Sequence, residues 1–188
     1  LSYGLNLLQK IINSSFDSQY FPKSRNIRQL IFYLKHFILI RELLKDSLND
    51  IPEYLDDKKL DHSIVQSLNF LENMLAEEEN IPRYYSISDK RWYGTAGLSD
   101  HAHLAHTFFK AGMNFNKPQY TDIAYSLLGR SISEFYDLDR GVFIEPVLGK
   151  HENIEYLMAI NSLLVQVMTG FNDSLADQER DMIDRIIT

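Results

Sequence analysis

The stretch GLSDHAHLAHTFFKAGMNFNKPQYTDIAYSLLGRSISEFYDLDRGVF, residues 97–143, decides the architecture. It reads as an apolar helix from Ser99 to Lys110, a polar turn over Gly112 to Pro118, and a second helix from Gln119 to Phe135, because apolar residues recur at helical spacing on both sides of a cluster of turn formers. Asp137-Leu138-Asp139-Arg140-Gly141 then turns into Val142-Phe143, and another helix is expected from about Asn153 to Met168.

Upstream the same pattern recurs. Leu5, Leu8, Ile11 and Ile12 predict a first helix, and Leu30, Tyr33, Leu34, Phe37, Ile40 and Leu44 predict a longer one over Ile27 to Leu48. Asn49-Asp50-Ile51-Pro52 ends it, since the residue before a proline is pushed out of the helical region. A third helix is expected over His62 to Glu78, capped by Asp61. Its acidic tail, Glu77-Glu78-Glu79, opposes the helix dipole and predicts fraying. Ile81 to Ile87 alternates aromatic and polar residues as a short strand or a hairpin arm, with Ser88-Asp89-Lys90 as its turn. Downstream, a last helix begins near Ser174. Gly112 and Gly170, and Tyr85 and Phe143, are each separated by 58 positions, which predicts a repeated helical hairpin.

The 188 residues suit one domain, 1–188, and the 11 Tyr and 11 Phe with 45% hydrophobic residues predict a folded chain. A net charge of -7 disfavours nucleic acid as a partner, because phosphate binding is driven by Lys and Arg. Without Cys there is no disulfide, thiolate nucleophile or Cys-ligated zinc, and thiol usage leaves cytosol and periplasm both open. Leu30 to Leu44 is interrupted by Lys35, His36, Arg41 and Glu42, well short of the roughly 20 apolar residues of a membrane span, so a soluble chain is expected. The chain opens on Leu1 without a signal-peptide pattern and is expected to be a piece of something longer.

Three of the six His and the single Trp lie between Arg91 and His106, where a loop meets a helix. Ser99 is the expected N-cap, with Asp100 in the first turn. Asp100 and His101 are the candidate acid/base pair here, since imidazole titrates near neutral pH and works when held against a carboxylate. His103 and His106 share a helical face. Yet His-x-x-His without a third ligand falls short of a zinc site, and no metal is assigned. A second cluster, Asp137, Asp139, Glu145, His151, Glu152 and Glu155, surrounds the next helix start. Paired carboxylates are the requirement of glycoside hydrolysis, and Glu145 joins the catalytic candidates. Trp92 and Tyr93, with His103, Asp139 and His151, are the candidate substrate-binding residues, the aromatics stacking on a sugar. No phosphate loop or dinucleotide fingerprint is present, and no cofactor is expected.

Gly97-Leu98-Ser99-Asp100-His101-Ala102-His103-Leu104 resembles the helix start Gly-Phe-Leu-Asp-Asp-Tyr-Ala-Phe-Leu of the α/α-toroid part of the thioredoxin-domain-containing, spermatogenesis-associated family. That part is itself similar to N-acylglucosamine 2-epimerases and six-hairpin glycosidases. Phe135 to Phe143 resembles the family's Phe-x-Asp-x-x-x-Gly-Gly-Phe turn, and Ala159 to Gly170 its third helix ending in Thr-Gly-Asp. The order agrees from about Ile64 to the C-terminus. His101 replaces an Asp or Tyr of the family, Gly141 stands for a glycine pair, and His151 to Glu155 replaces Pro-Ser-Gly-Asn; the thioredoxin part is absent.

The expected fold is therefore all-α, antiparallel helical hairpins forming a partial α/α toroid of about seven helices, since a ring of six hairpins takes about twice this length. The resemblance implies a domain related to carbohydrate-acting proteins, with a carbohydrate-like small molecule as partner. The alternative is a non-catalytic scaffold whose open helical edge docks a second copy or another domain.

Overall fold

The computed structural model describes residues 26–45, 57–86, 88–144 and 154–171. Their elements run in the order α1 (Ile27–Lys45), α2 (Asp57–Glu77), β1 (Tyr84–Ser86), β2 (Arg91–Tyr93), α3 (Leu98–Phe115), α4 (Pro118–Phe135), β3 (Tyr136–Asp137), β4 (Val142–Phe143) and α5 (Ile154–Gly170). The expected helices around Leu5 and after Ser174 lie outside the described residues. The contacts fall into two compact units, Leu1–Thr95 and Ala96–Thr188.

In the first unit α1 buries Ile27, Leu30, Ile31, Leu34, Phe37 and Ile38, the i, i+3, i+4 stripe of a core-facing helix. The Asn26 side-chain oxygen accepts the Gln29 N–H at 3.2 Å and caps its start. Helix α2 meets it with Leu60, Ile64, Leu68, Leu71 and Met74; each such side chain, fully buried, contributes about 1.5–3 kcal/mol. It starts at Asp57 rather than His62, so Asp61 lies inside the helix and does not cap it. Its carboxylate is instead the partner of Arg41 on α1, with Nε at 2.5 Å and Nη2 at 3.2 Å. The charged partner on the neighbouring helix outweighs a capping preference that acts only locally. The helix ends at Glu77, leaving Glu78 and Glu79 beyond it.

The hairpin β1–β2 pairs Tyr84 with Tyr93, Tyr85 with Trp92 and Ser86 with Arg91. Alternation along each strand puts Tyr85 and Trp92 on one face, where both rings meet Phe70 of α2, at 6.4 and 5.4 Å between centroids. Gly94, at φ 69°, follows the hairpin where an added Cβ would press on the Cβ of Arg83.

In the second unit α3 and α4 form a tight antiparallel pair. Helix α3 runs to Phe115, past the expected end at Lys110, and Asn116 closes it in the left-handed conformation (φ 51°), a backbone state that Asn tolerates. Lys117 precedes Pro118, which opens α4 at the position where a missing N–H costs nothing. Gly112 is thus not a terminator. It lies in the helix, where a Cβ would collide with Thr121 of α4, and its absence lets the two backbones approach. Phe108 and Tyr120, both fully buried, meet at 5.8 Å across the pair. Helix α5 packs on α3, burying Ile160, Leu164, Val167 and Met168, and its Gly170 sits against the Phe109 ring.

The two strand hairpins are built alike. Each has a four-residue loop, closed by a residue with positive φ directly before the second arm, Lys90 (52°) in one and Gly141 (69°) in the other. Tyr136 pairs with Phe143 as Tyr85 pairs with Trp92, with centroids at 5.1 and 4.8 Å in edge-to-face packing. In one loop the Ser86 hydroxyl accepts the Asp89 N–H, and in the other the Asp137 carboxylate accepts the Arg140 N–H. These matches set the hairpins 51 positions apart. The 58-position pairing of Tyr85 with Phe143 therefore joins a first arm to a second arm, because spacing between landmarks carries no record of which strand they occupy.

Candidate functional site

Two places carry the polar and aromatic residues singled out by the sequence, one in each unit. In the second unit the N-terminus of α3 is capped by Gly97, not Ser99. A glycine has no side chain to cover the free N–H groups, and the helix start is held from the other side. The Asp100 carboxylate reaches back to accept the Gly97 N–H at 3.3 Å, while the Gly97 carbonyl accepts the N–H groups of Asp100 and His101 at 3.0 and 3.1 Å. Asp100 is 2% exposed. Its negative charge sits where the helix dipole favours it.

His101 follows, 1% exposed, with its ring edge-to-face on Phe135 at 5.0 Å. Burial pushes its pKa down from 6.5 to about 4; the Asp100 charge opposes this and the Arg130 charge adds to it. The imidazole is therefore neutral at pH 7. Its Nε2 lies 3.8 Å from Oε2 of Glu134, whose side chain is 42% exposed, beyond hydrogen-bond range and no ion pair while the ring is neutral. Nδ1 of His101 is buried without a hydrogen-bond partner among the described residues. A neutral ring can donate at one nitrogen and accept at the other, and Glu134 brings the charged, solvent-reaching group. Glu134 was not among the sequence candidates; its only signal was a place one residue before Phe135, at the end of a helix.

His103 is half-buried on α3 and His106 is buried three residues on. Among the described residues no three His, Asp or Glu side chains gather as metal ligands. Asp139 is exposed in the β3–β4 loop, its N–H donating to the Asp137 carboxylate at 3.0 Å. Glu145 and His151 lie outside the described residues. The β3–β4 hairpin is fixed by a residue that sequence reading did not single out for a role. The buried Asn161 of α5 accepts the Phe143 N–H at 2.9 Å and donates to the Phe143 carbonyl at 3.1 Å, completing the edge of β4 as a neighbouring strand would.

In the first unit, Trp92 and Tyr93 point to opposite faces of β2. Trp92 is packed on Tyr85 and Phe70. Tyr93 is 37% exposed and lies nearly parallel to Tyr84, itself 46% exposed, at 5.5 Å and 18°. The Tyr93 hydroxyl donates to Asp89 at 3.1 Å. The hydroxyls of Ser86, Ser88 and Tyr93 hold the Asp89 carboxyl below its ordinary range, and Asp89 raises the Tyr93 phenol in turn.

Among the described residues no helix is long and apolar enough to cross a membrane. The helices and connecting hairpins define a fold of the α/α-toroid type, mostly helical with four short strands among the described residues. Solved structures similar to the chain include a GH76 α-mannanase from Bacteroides thetaiotaomicron, with a TM-score of 0.62 at 11% identity over 96% of this chain and 46% of that one. They also include a D-mannose isomerase, with a TM-score of 0.66 at 8% identity over 98% of this chain and 50% of that one. The chain spans about half the length of each. No protein-family model and no curated protein matches it.

Proposed function

We propose that the chain is a toroid-type domain that binds a carbohydrate. The observation that carries this reading is the likeness in fold, over 96% and 98% of the chain, to two structures named as an α-mannanase and a D-mannose isomerase. The exposed Tyr84–Tyr93 pair supports it, since an aromatic face flanked by polar groups suits the apolar face of a sugar ring. The residue pattern of 97–104 and 135–143 supports the finer assignment to the toroid part of the thioredoxin-domain-containing, spermatogenesis-associated family.

Acid/base work is assigned to His101 with Glu134, and to Glu145, with Asp100 holding the helix start that presents His101. His103, Asp139 and His151 are kept as candidate contacts to substrate. Titration calorimetry with mannose and a panel of neutral and acidic oligosaccharides tests the reading: saturable binding is expected, and no response to any sugar refutes it. Tyr93→Ala is the variant to pair with it, because Trp92→Ala would empty the packing against Phe70.

A second reading, docking of a second copy of the chain, is favoured by one observation. Phe32, Leu39 and Leu43 form a stripe along α1 and are 59%, 49% and 62% exposed.

A further inference from the structure

The loop and strands from Arg83 to Tyr93 hold three cations, Arg83, Lys90 and Arg91, against one acid, Asp89, in a chain whose net charge is -7. All three cations are exposed, and none is in an ion pair among the described residues. Asp89 offsets one of the three, its carboxylate held by the hydroxyls of Ser86, Ser88 and Tyr93, and the segment keeps a net charge of +2 (three cations less one acid). A local excess of positive charge in an acidic chain marks a surface for an anionic ligand.

The hairpin register says what lies beside that charge. Tyr84, Ser86, Arg91 and Tyr93 share the face opposite Trp92. Arg91 and Tyr93 are two residues apart on one strand, hence about 6.6 Å, close to the width of a pyranose ring with its substituent. The two tyrosines lie nearly parallel, and the Tyr93 hydroxyl is tied to Asp89. The aromatic surface is thus ordered before a ligand arrives, which lowers the entropy cost of binding.

We propose that this face of the β1–β2 hairpin is a binding site for an acidic carbohydrate, a uronate-bearing oligosaccharide that lays a sugar ring against Tyr84 and Tyr93 and places its carboxylate on Arg91. The proposal rests on the carbohydrate reading above and adds the charge class of the ligand. Guanidinium and carboxylate are matched in geometry as well as charge, since the planar fork of Arg donates two parallel hydrogen bonds to the two oxygens. Aromatic and basic residues also serve single-stranded nucleic acid. A phosphodiester strand, however, needs a run of cations along its path, and outside this hairpin the chain is strongly acidic. One carboxylate needs one arginine.

The test is titration of the 188-residue chain with trigalacturonate, its methyl ester, mannotriose and oligouridylate. Binding of trigalacturonate is expected, weakening as salt is raised, since both charges are exposed. Arg91→Gln should weaken it about tenfold, equivalent to 1.4 kcal/mol, and Arg91→Lys should recover only part. The methyl ester keeps the ring and removes the charge, so it should bind as weakly as the Arg91→Gln protein binds the acid, with no change to the chain. Equal binding of mannotriose, or indifference to Arg91→Gln and to esterification, overturns the acidic site while the carbohydrate reading stands. No binding of any sugar overturns both. Oligouridylate binding with the same Arg91 dependence, and trigalacturonate inert, overturns the site in favour of nucleic acid.

Discussion

His101 is enclosed one residue past the helix-capping Asp100, and enclosure sets its chemistry. Imidazolium loses its hydration on burial. Asp100 on α3 favours the charged ring and Arg130 on α4 disfavours it, with Glu134 3.8 Å away, and the sum leaves the value near 4 instead of 6.5. Because the folded value is the lower one, the unfolded chain takes up the proton first as pH falls. The stability contributed by keeping the ring neutral is then complete above about pH 6.5 and drains away between there and pH 4, by about 3 kcal/mol. Urea unfolding across that window should show the loss, and His101→Phe, which keeps a ring and removes the titration, should flatten it. An unchanged slope in His101→Phe would mean that other groups carry the dependence. At this scale the sequence placed Asp100 in the first turn of the helix, where it is found. That Asp100 would spend its carboxylate on the Gly97 N–H was hidden, because Ser99 looked the better cap.

The elements divide between those whose shape is local and those held from afar. The β1–β2 turn was readable from Ser88-Asp89-Lys90, and the β3–β4 turn from Asp137 to Gly141, since turn residues close their loops with their own side chains. The β3–β4 hairpin has only two residues in each arm and cannot be stable alone. Asn161, 18 residues further on, supplies the missing neighbour. Asn161→Ala leaves a buried N–H and carbonyl of Phe143 unpaired, and each such group costs about 1–3 kcal/mol. A loss of about 2–6 kcal/mol in denaturant unfolding is therefore expected, together with faster amide exchange at Phe143. If exchange there is unaltered, the hairpin has another support.

For the whole molecule, the fold is of the α/α-toroid type while its length is about half that of the similar mannanase and isomerase. A second copy seated on α1 would cover Phe32, Leu39 and Leu43, apolar surface that costs free energy in water. If so, light scattering should report a dimer, and Leu39→Ser with Leu43→Ser should return it to a monomer with unchanged helix content. A monomer at every concentration removes the docking reading and leaves the carbohydrate one untouched.

Helix number, helix order and both turns among the described residues were legible because period and turn chemistry act over a few residues, and so was the helical-hairpin class. The identity of the capping residue, the partner of Asp61, the reason for Gly112 and the 51-position match of the hairpins were not. Each depends on what another element brings within a few ångströms: Arg41 across from α2, Thr121 against α3, Asn161 beside β4. The same holds for the tyrosines. Composition named Tyr93 and Trp92 together as stacking residues, and only the strand register separated them, turning Trp92 to Phe70 and Tyr93 outward beside Tyr84. A hydrogen bond or ring contact between distant residues leaves no period in the chain, so folding alone decides it.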